Sequence, residues 1–182
     1  MEAWRLLMCL AAKLNWKFRL FDVKTAYLHG NIKETVYLSL PPGFESEYGE
    51  GKVLKLKKSI YGLPQSGRNW YAHFSNTLKE IGFQQLMSEN CIFMLKRDDV
   101  YIIMAIYVDD FTIFYNNEKI YDSIIPRLRK TYEITETTNT NTFLNIQIER
   151  FKTGIGLSQT KYIEKLLLKH NMNDCNVVTT PM

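Results

Sequence analysis

The residues with the most chemical content are two adjacent aspartates, Asp109 and Asp110, set between YIIMAIYV (residues 101–108) and FTIFY (111–115). Both flanks read as buried strands, so the sequence predicts a hairpin with the two carboxylates at its turn. Aspartate is a good turn residue, but a tight two-residue turn favours Asn-Gly or Asp-Gly, and Asp-Asp forces like charges together. Neighbouring carboxylates raise one another's pKa, and buried strands beside them worsen the repulsion. A cation relieves it. Oxygen donors without His or Cys suit Mg²⁺ or Mn²⁺ rather than Zn²⁺.

Two carboxylates do not complete such a site, because successive strand residues face opposite ways. Asp22 is the candidate for a third, near the end of the apolar run FRLFDV (18–23). With the two strand ends side by side, Asp22 and Asp109 can bridge two ions about 3.5–4 Å apart, the two-metal arrangement for phosphoryl displacement. That is the chemistry of nucleotidyl transfer onto a 3′-hydroxyl.

The elements that must position these aspartates follow from periodicity. An amphipathic helix is predicted over residues 2–16, a strand over 18–23, and a strand over 34–40 that stops at Pro41-Pro42-Gly43. Past Pro64, Trp70, Phe74, Leu78 and Ile81 recur at helical spacing until Gly82. CIFMLK and VYIIMAIYV form a hairpin across Arg97-Asp98-Asp99. A helix over about residues 118–132 follows, with Pro126 expected to kink or split it. TFLNIQI (142–148) alternates as a strand, residues 160–170 read as a last helix, and TETTNTNT (135–142) as a loop. The fold class is α+β: one domain over residues 1–182, with a largely antiparallel sheet and helices on one face.

Composition narrows the function classes. At 182 residues with 46% hydrophobic and 23% charged residues, the chain has the balance of a globular domain. No apolar run reaches the roughly 18 residues needed to span a bilayer, and the N-terminal stretch lacks the basic n-region of a signal peptide. Cys9, Cys91 and Cys175, like His29, His73 and His170, are too scattered for a zinc site or a disulfide framework, and the cysteines read as reduced, partly buried thiols. Net charge is only +4, but residues 51–70 carry Lys52, Lys55, Lys57, Lys58 and Arg68 without one acid, a patch able to pair with phosphates.

Five ordered blocks identify a resemblance: FDVKTAYLHGNIKETVYLSLPPGF, LKKSIYGLPQSGRNWY, IYVDD, LSQTKYIEKLL and TTPM. Together they run nearly end to end and resemble the reverse transcriptase of copia-type LTR retrotransposons. The resemblance implies a polymerase palm in which Asp22, Asp109 and Asp110 are catalytic and hold two Mg²⁺ or Mn²⁺ ions, with Val23 lending a backbone carbonyl. It makes Tyr27 the aromatic gate that excludes a ribose 2′-hydroxyl, and Gln65 a contact to the incoming nucleotide and the template strand. Lys57, Lys58, Arg68 and Tyr107 become contacts to template or primer, and GLSQTKYI the primer-grip region; Trp70 and Tyr71 are assigned to packing. It further implies an RNA template, a DNA primer and dNTPs as partners, no membrane, membership of a larger Pol polyprotein, and a cytoplasmic virus-like particle as location.

This sequence departs from the family pattern at three places: Pro64 stands where lysine is usual, Asn145 replaces a glycine, and ITETTN lacks a lysine thought to protonate pyrophosphate, leaving Thr135 and its neighbours there. Protonating the leaving group is typically a 10²–10⁴-fold effect. Fingers strands are expected upstream of residue 1, and a thumb and RNase H domain beyond residue 182. The competing reading is a catalytically impaired retroelement fragment that serves as a nucleic-acid-binding or interaction module. An RNA-recognition sheet is excluded, since its aromatic Lys/Arg-Gly-Phe/Tyr block is absent.

Overall fold

The computed structural model describes residues 1–49, 51–137, 142–176 and 178. In chain order the elements are α1 (Glu2–Leu14), β1 (Lys17–Val23), α2 (Ala26–His29), β2 (Tyr37–Ser39), α3 (Glu45–Tyr48), β3 (Val53–Lys55), α4 (Ser66–Ile81), β4 (Gln84–Gln85) and β5 (Ile92–Arg97). There follow β6 (Val100–Tyr107), β7 (Asp110–Tyr115), α5 (Glu118–Thr131), β8 (Ile134–Glu136), β9 (Thr142–Phe143), β10 (Ile146–Phe151), β11 (Gly154–Ser158) and α6 (Thr160–Lys169). They group into two compact units, one of residues 17–136 and one of residues 1–16 with 137–182. Among the described residues no helix is long and apolar enough to cross a membrane.

The larger unit is built on a six-stranded sheet in the order β4-β5-β6-β7-β1-β8, every neighbouring pair antiparallel. Alternation sorts its side chains into two faces. One face offers Phe21, Phe93, Ile102, Met104, Phe111 and Ile113, which join Trp70, Phe74 and Leu78 of α4 and Ile124 and Leu128 of α5 in one buried cluster. Both long helices therefore cover the same side of the sheet, as the α+β reading expects. The other face carries cross-strand rows: Phe18 beside Phe114 and Ile103, then Leu20 beside Thr112 and Ala105, then Asp22 beside Asp110 and Tyr107.

Helix α4 forms because its apolar residues fall on one stripe, and Gly82 ends it at φ 110°, with its N–H on the carbonyls of Leu78 and Lys79. Helix α5 is capped by the Asn117 side chain, which accepts the Ile120 N–H at 3.1 Å. Of the kink or split expected at Pro126, the split does not occur: the helix runs unbroken past it. The missing N–H strips a partner from the carbonyl of Asp122, an exposed residue that water can satisfy. The strand predicted over 34–40 shrinks to β2, which pairs with an unforeseen β3 as a separate ribbon.

In the smaller unit β9, β10 and β11 form a three-stranded sheet, and Trp4 of α1 stacks on Phe143 with ring centroids 5.0 Å apart. Here the single strand predicted over 142–148 is corrected. Leu144 and Asn145, at φ 49° and 64°, make a two-residue turn between β9 and β10. Two positive φ values are the I′ pattern that matches strand twist. Asparagine tolerates it, so Asn145 in place of glycine is a mild departure. The cysteines are likewise corrected: all three are exposed, on the outer side of α1, ahead of β5 and after α6. Of the predicted loop 135–142, residues 138–141 lie outside the described residues, while Thr135 and Glu136 belong to β8.

Candidate active site

The hairpin of β6 and β7 turns on Val108 and Asp109, one residue earlier than the sequence suggests. Tyr107 pairs with Asp110, so Asp110 opens β7 instead of sitting in the turn. The positive φ then falls on Val108, at 57°. A positive φ at the first turn position alone is the II′ pattern, usually served by glycine. On a β-branched residue it is strained, a cost of order 1–3 kcal/mol.

Two hydrogen bonds hold this turn. The Val23 N–H donates to the Asp109 carbonyl at 2.8 Å, tying the turn to the end of β1. The Trp70 indole N–H donates to the Val108 carbonyl at 2.6 Å. Trp70 was assigned to packing; it is buried against Phe74, with centroids 4.9 Å apart, and it also anchors the turn. Tyr71 also hydrogen-bonds, to the Asn90 carbonyl at 2.6 Å.

Asp22 lies directly opposite Asp110 across β1 and β7, and Thr135 of β8 lies opposite Asp22 on its other side. One row therefore reads Tyr107, Asp110, Asp22, Thr135, all pointing from the face away from α4 and α5, with Asp109 at the adjoining turn. Burial, then the charges of Asp109 and Asp22, push Asp110 up to about 6. Burial first and Asp109 second also raise Asp22 above its ordinary value. The three carboxylates feel one another. Even so, among the described residues no group of three His, Cys, Asp or Glu side chains is arranged to hold a metal ion.

Tyr27 sits on the four-residue α2, just beyond β1, and its ring packs on Tyr61 with centroids 4.4 Å apart. A methyl group built on Gly67 would lie 3.7 Å from the Tyr27 hydroxyl, so the first turn of α4 passes close to that ring. Tyr61 is a neighbour of the candidate site that sequence reasoning missed. Its pKa is raised by burial first and then by Asp109, with Asp22 adding to it, which places the phenol within electrostatic reach of both aspartates. Tyr27 and Tyr61 lie far apart in sequence, and only the aromatic's position inside the IYGLPQ block could have drawn attention to it.

Gln65 is the residue just before α4; its carbonyl accepts the Asn69 N–H at 3.0 Å, and its side chain makes no cap. Lys57, Lys58 and Arg68 are exposed, as is Tyr107. The acid-free basic stretch acquires a carboxylate in space, since Arg68 pairs with Glu34 at 2.9 Å, while Lys58 donates to Asn31 at 2.6 Å.

With this geometry in view, the comparison with known proteins is decisive. The family model for reverse transcriptase (RNA-dependent DNA polymerase) matches residues 1–182. The chain belongs to the reverse transcriptase family. It is 36% identical to the retrovirus-related Pol polyprotein from transposon RE1 of Arabidopsis thaliana, over 98% of this chain and 12% of that protein. It is 34% identical to the corresponding polyprotein from transposon TNT 1-94 of Nicotiana tabacum, over 100% of this chain and 14% of that protein. A putative transposon Ty5-1 protein of Saccharomyces cerevisiae is 34% identical over 88% of this chain and 53% of its own length. This reverse transcriptase domain thus spans about an eighth of the first two relatives' length, and copia-type retrotransposon Pol polyproteins are its kin.

Proposed function

We propose that the chain is the RNA-directed DNA polymerase core of a copia-type retrotransposon, working within a larger Pol polyprotein inside cytoplasmic virus-like particles. The observation that carries this reading is the row that sets Asp22 opposite Asp110, with Asp109 at the adjoining turn and Asp110 pushed up to about 6. Crowded carboxylates with raised pKa values mark a functional site. A donor set made only of oxygens, the Asp22, Asp109 and Asp110 carboxylates with the Val23 carbonyl, fits two Mg²⁺ or Mn²⁺ ions. When bound, such ions acidify the primer 3′-hydroxyl and neutralise the pyrophosphate leaving group.

The chain's own residues then have distinct tasks in the displacement, in which the 3′-oxygen bonds to the α-phosphorus of a dNTP and pyrophosphate departs. Tyr27, backed by Tyr61, occupies the space a 2′-hydroxyl would need. Gln65 orients the nucleotide at the start of α4. Tyr107 lies on the carboxylate row, where a primer end must come. Lys57, Lys58 and Arg68 neutralise phosphates of the RNA template and DNA primer without reading sequence. Thr135, opposite Asp22, cannot protonate pyrophosphate, so a slow release step is expected.

A second reading is a module that binds nucleic acid without catalysis. One observation favours it: Thr135, in the segment that lacks the lysine thought to protonate pyrophosphate, stands opposite Asp22. Primer extension separates the two. Oligo(dT) on poly(rA) with dTTP and Mg²⁺ or Mn²⁺ should be extended by the chain and not by a variant carrying Asp109→Asn and Asp110→Asn. A folded chain that extends nothing, even with the flanking polyprotein sequence restored, would overturn the polymerase reading.

A further inference from the structure

Helix α4 has a polar side that the polymerase reading uses only at Arg68. That side, with Arg68, Asn69, His73 and Asn76, lines a cleft of about 500 Å³ completed by Asn31 and Lys33, and no carboxylate is among the lining residues. We propose that this cleft is a phosphate-binding site, for a group on a polynucleotide backbone or on a small phosphate ester.

Four observations support it. The floor is built rather than incidental: Asn69 is only 8% exposed and donates to Ser59, itself fully buried, at 3.0 Å. The wall is fixed by close approach. A methyl group on Gly30 would lie 2.9 Å from the Trp70 backbone nitrogen, and Asn31 follows directly. The local charge is positive. Lys33 and Arg68 line the cleft and Lys58 grips Asn31 at its edge, against Glu34 as the nearest paired acid. That Arg68–Glu34 pair is exposed on both sides and hence weak, so a phosphate offering bidentate acceptors can displace the carboxylate.

The fourth is His73. Burial first, then Lys58 and His29, hold its imidazole below its ordinary value, with Glu80 opposing. It also faces the Tyr132 and Trp70 rings. An anion in the cleft reverses the push from the lysine, so His73 can take up a proton as the ligand enters and become a second donor. The inference shares Lys58 and Arg68 with the strand contacts proposed above and rests on that reading for nothing else, since it needs no metal.

The test uses the full chain in EDTA, which strips divalent ions from the carboxylates. Fluorescence anisotropy with labelled oligo(dT) is followed across a salt series, and NMR follows the His73 ring protons against inorganic phosphate and pyrophosphate. Three cations on a single strand give a salt slope of about 2, and Lys33→Ala, which leaves the proposed strand contacts intact, should lower it to about 1.4. Asn76→Asp, which places an anion in the cleft, should weaken binding likewise, and Lys130→Ala on α5 should not. Dependence on the cleft in the oligonucleotide arm identifies a polynucleotide. A pyrophosphate-induced His73 shift that Asn76→Asp abolishes, with oligonucleotide binding unaltered, identifies a small phosphate ester. Silence of His73 to both phosphates, together with equal effects of the cleft and Lys130→Ala variants on the oligonucleotide, overturns the proposal. Lys33 and Asn76 lie outside the residues assigned to primer extension, so the two readings fail separately.

Discussion

Replacing Asp110 by asparagine should stabilise the metal-free chain, and only at neutral pH. The side chain keeps its shape, while the cost of burying its charge disappears, and with it the like-charge contact with Asp109 and Asp22. Asp110 is pushed from an ordinary 3.8 up to about 6. Two units at about 1.36 kcal/mol each bound the cost of ionising it in the folded state at ~3 kcal/mol. Partial exposure and screening reduce that to ~1–2 kcal/mol. The sign follows from the folded value lying above the unfolded one. Below about 3.8 the carboxyl is protonated in both states and costs nothing; the penalty grows between there and about 6 and is full above it. Urea unfolding in EDTA, wild type beside Asp110→Asn, should show no difference at acid pH and a gap of ~1–2 kcal/mol above neutrality. In thermal melts that gap corresponds to roughly 2–8 °C. Adding Mn²⁺ should close it by stabilising the wild type by mass action. An asparagine variant no more stable than wild type at neutral pH, or a gap that does not change with pH, would refute the electrostatic argument.

Three further outcomes are expected. Gly30→Ala should cost about 1–3 kcal/mol in urea unfolding, because its methyl meets the Trp70 backbone nitrogen at 2.9 Å and the α2–α4 contact cannot yield without moving a helix. Trp70→Phe keeps the stack on Phe74 but loses the donor to Val108; a stability loss of about 1–2 kcal/mol is expected, with a larger proportional fall in primer extension than in oligonucleotide binding. Tyr27→Ala should raise UTP incorporation relative to dTTP by ~10-fold or more, about 1.4 kcal/mol of lost discrimination; an unchanged ratio in single-nucleotide extension would remove Tyr27 from sugar selection.

The sequence made the long periodic elements legible. Helix α4 and strands β5, β6 and β7 fall where alternation and helical spacing put them, and the three aspartates stand out by chemistry alone. What failed was local and depends on tertiary partners. Alternation over TFLNIQI is the same whether Leu144 and Asn145 are strand or turn, because a I′ turn without glycine leaves no gap in the pattern. The turn at Val108 and Asp109 is offset by one residue because register is set by pairing to β1, which places Asp110 opposite Asp22. The neighbours of Tyr27 and Arg68, namely Tyr61 and Glu34, come from other segments, and no spacing rule connects them.

The site concentrates two costs at one place, a β-branched residue at positive φ and three mutually repelling carboxylates, and the way they are restrained says what can move. The peptide after Val108 is held through its carbonyl by the Trp70 indole, and the peptide after Asp109 by the Val23 N–H. Asp22 and Asp110 sit on paired strands with buried rows directly behind them. Backbone freedom is therefore spent, and the carboxylate torsions remain. In this reading the strained turn is what keeps Asp109 at the sheet end beside Asp22, and the buried Trp70 stack is how the core of the larger unit holds the strain in place.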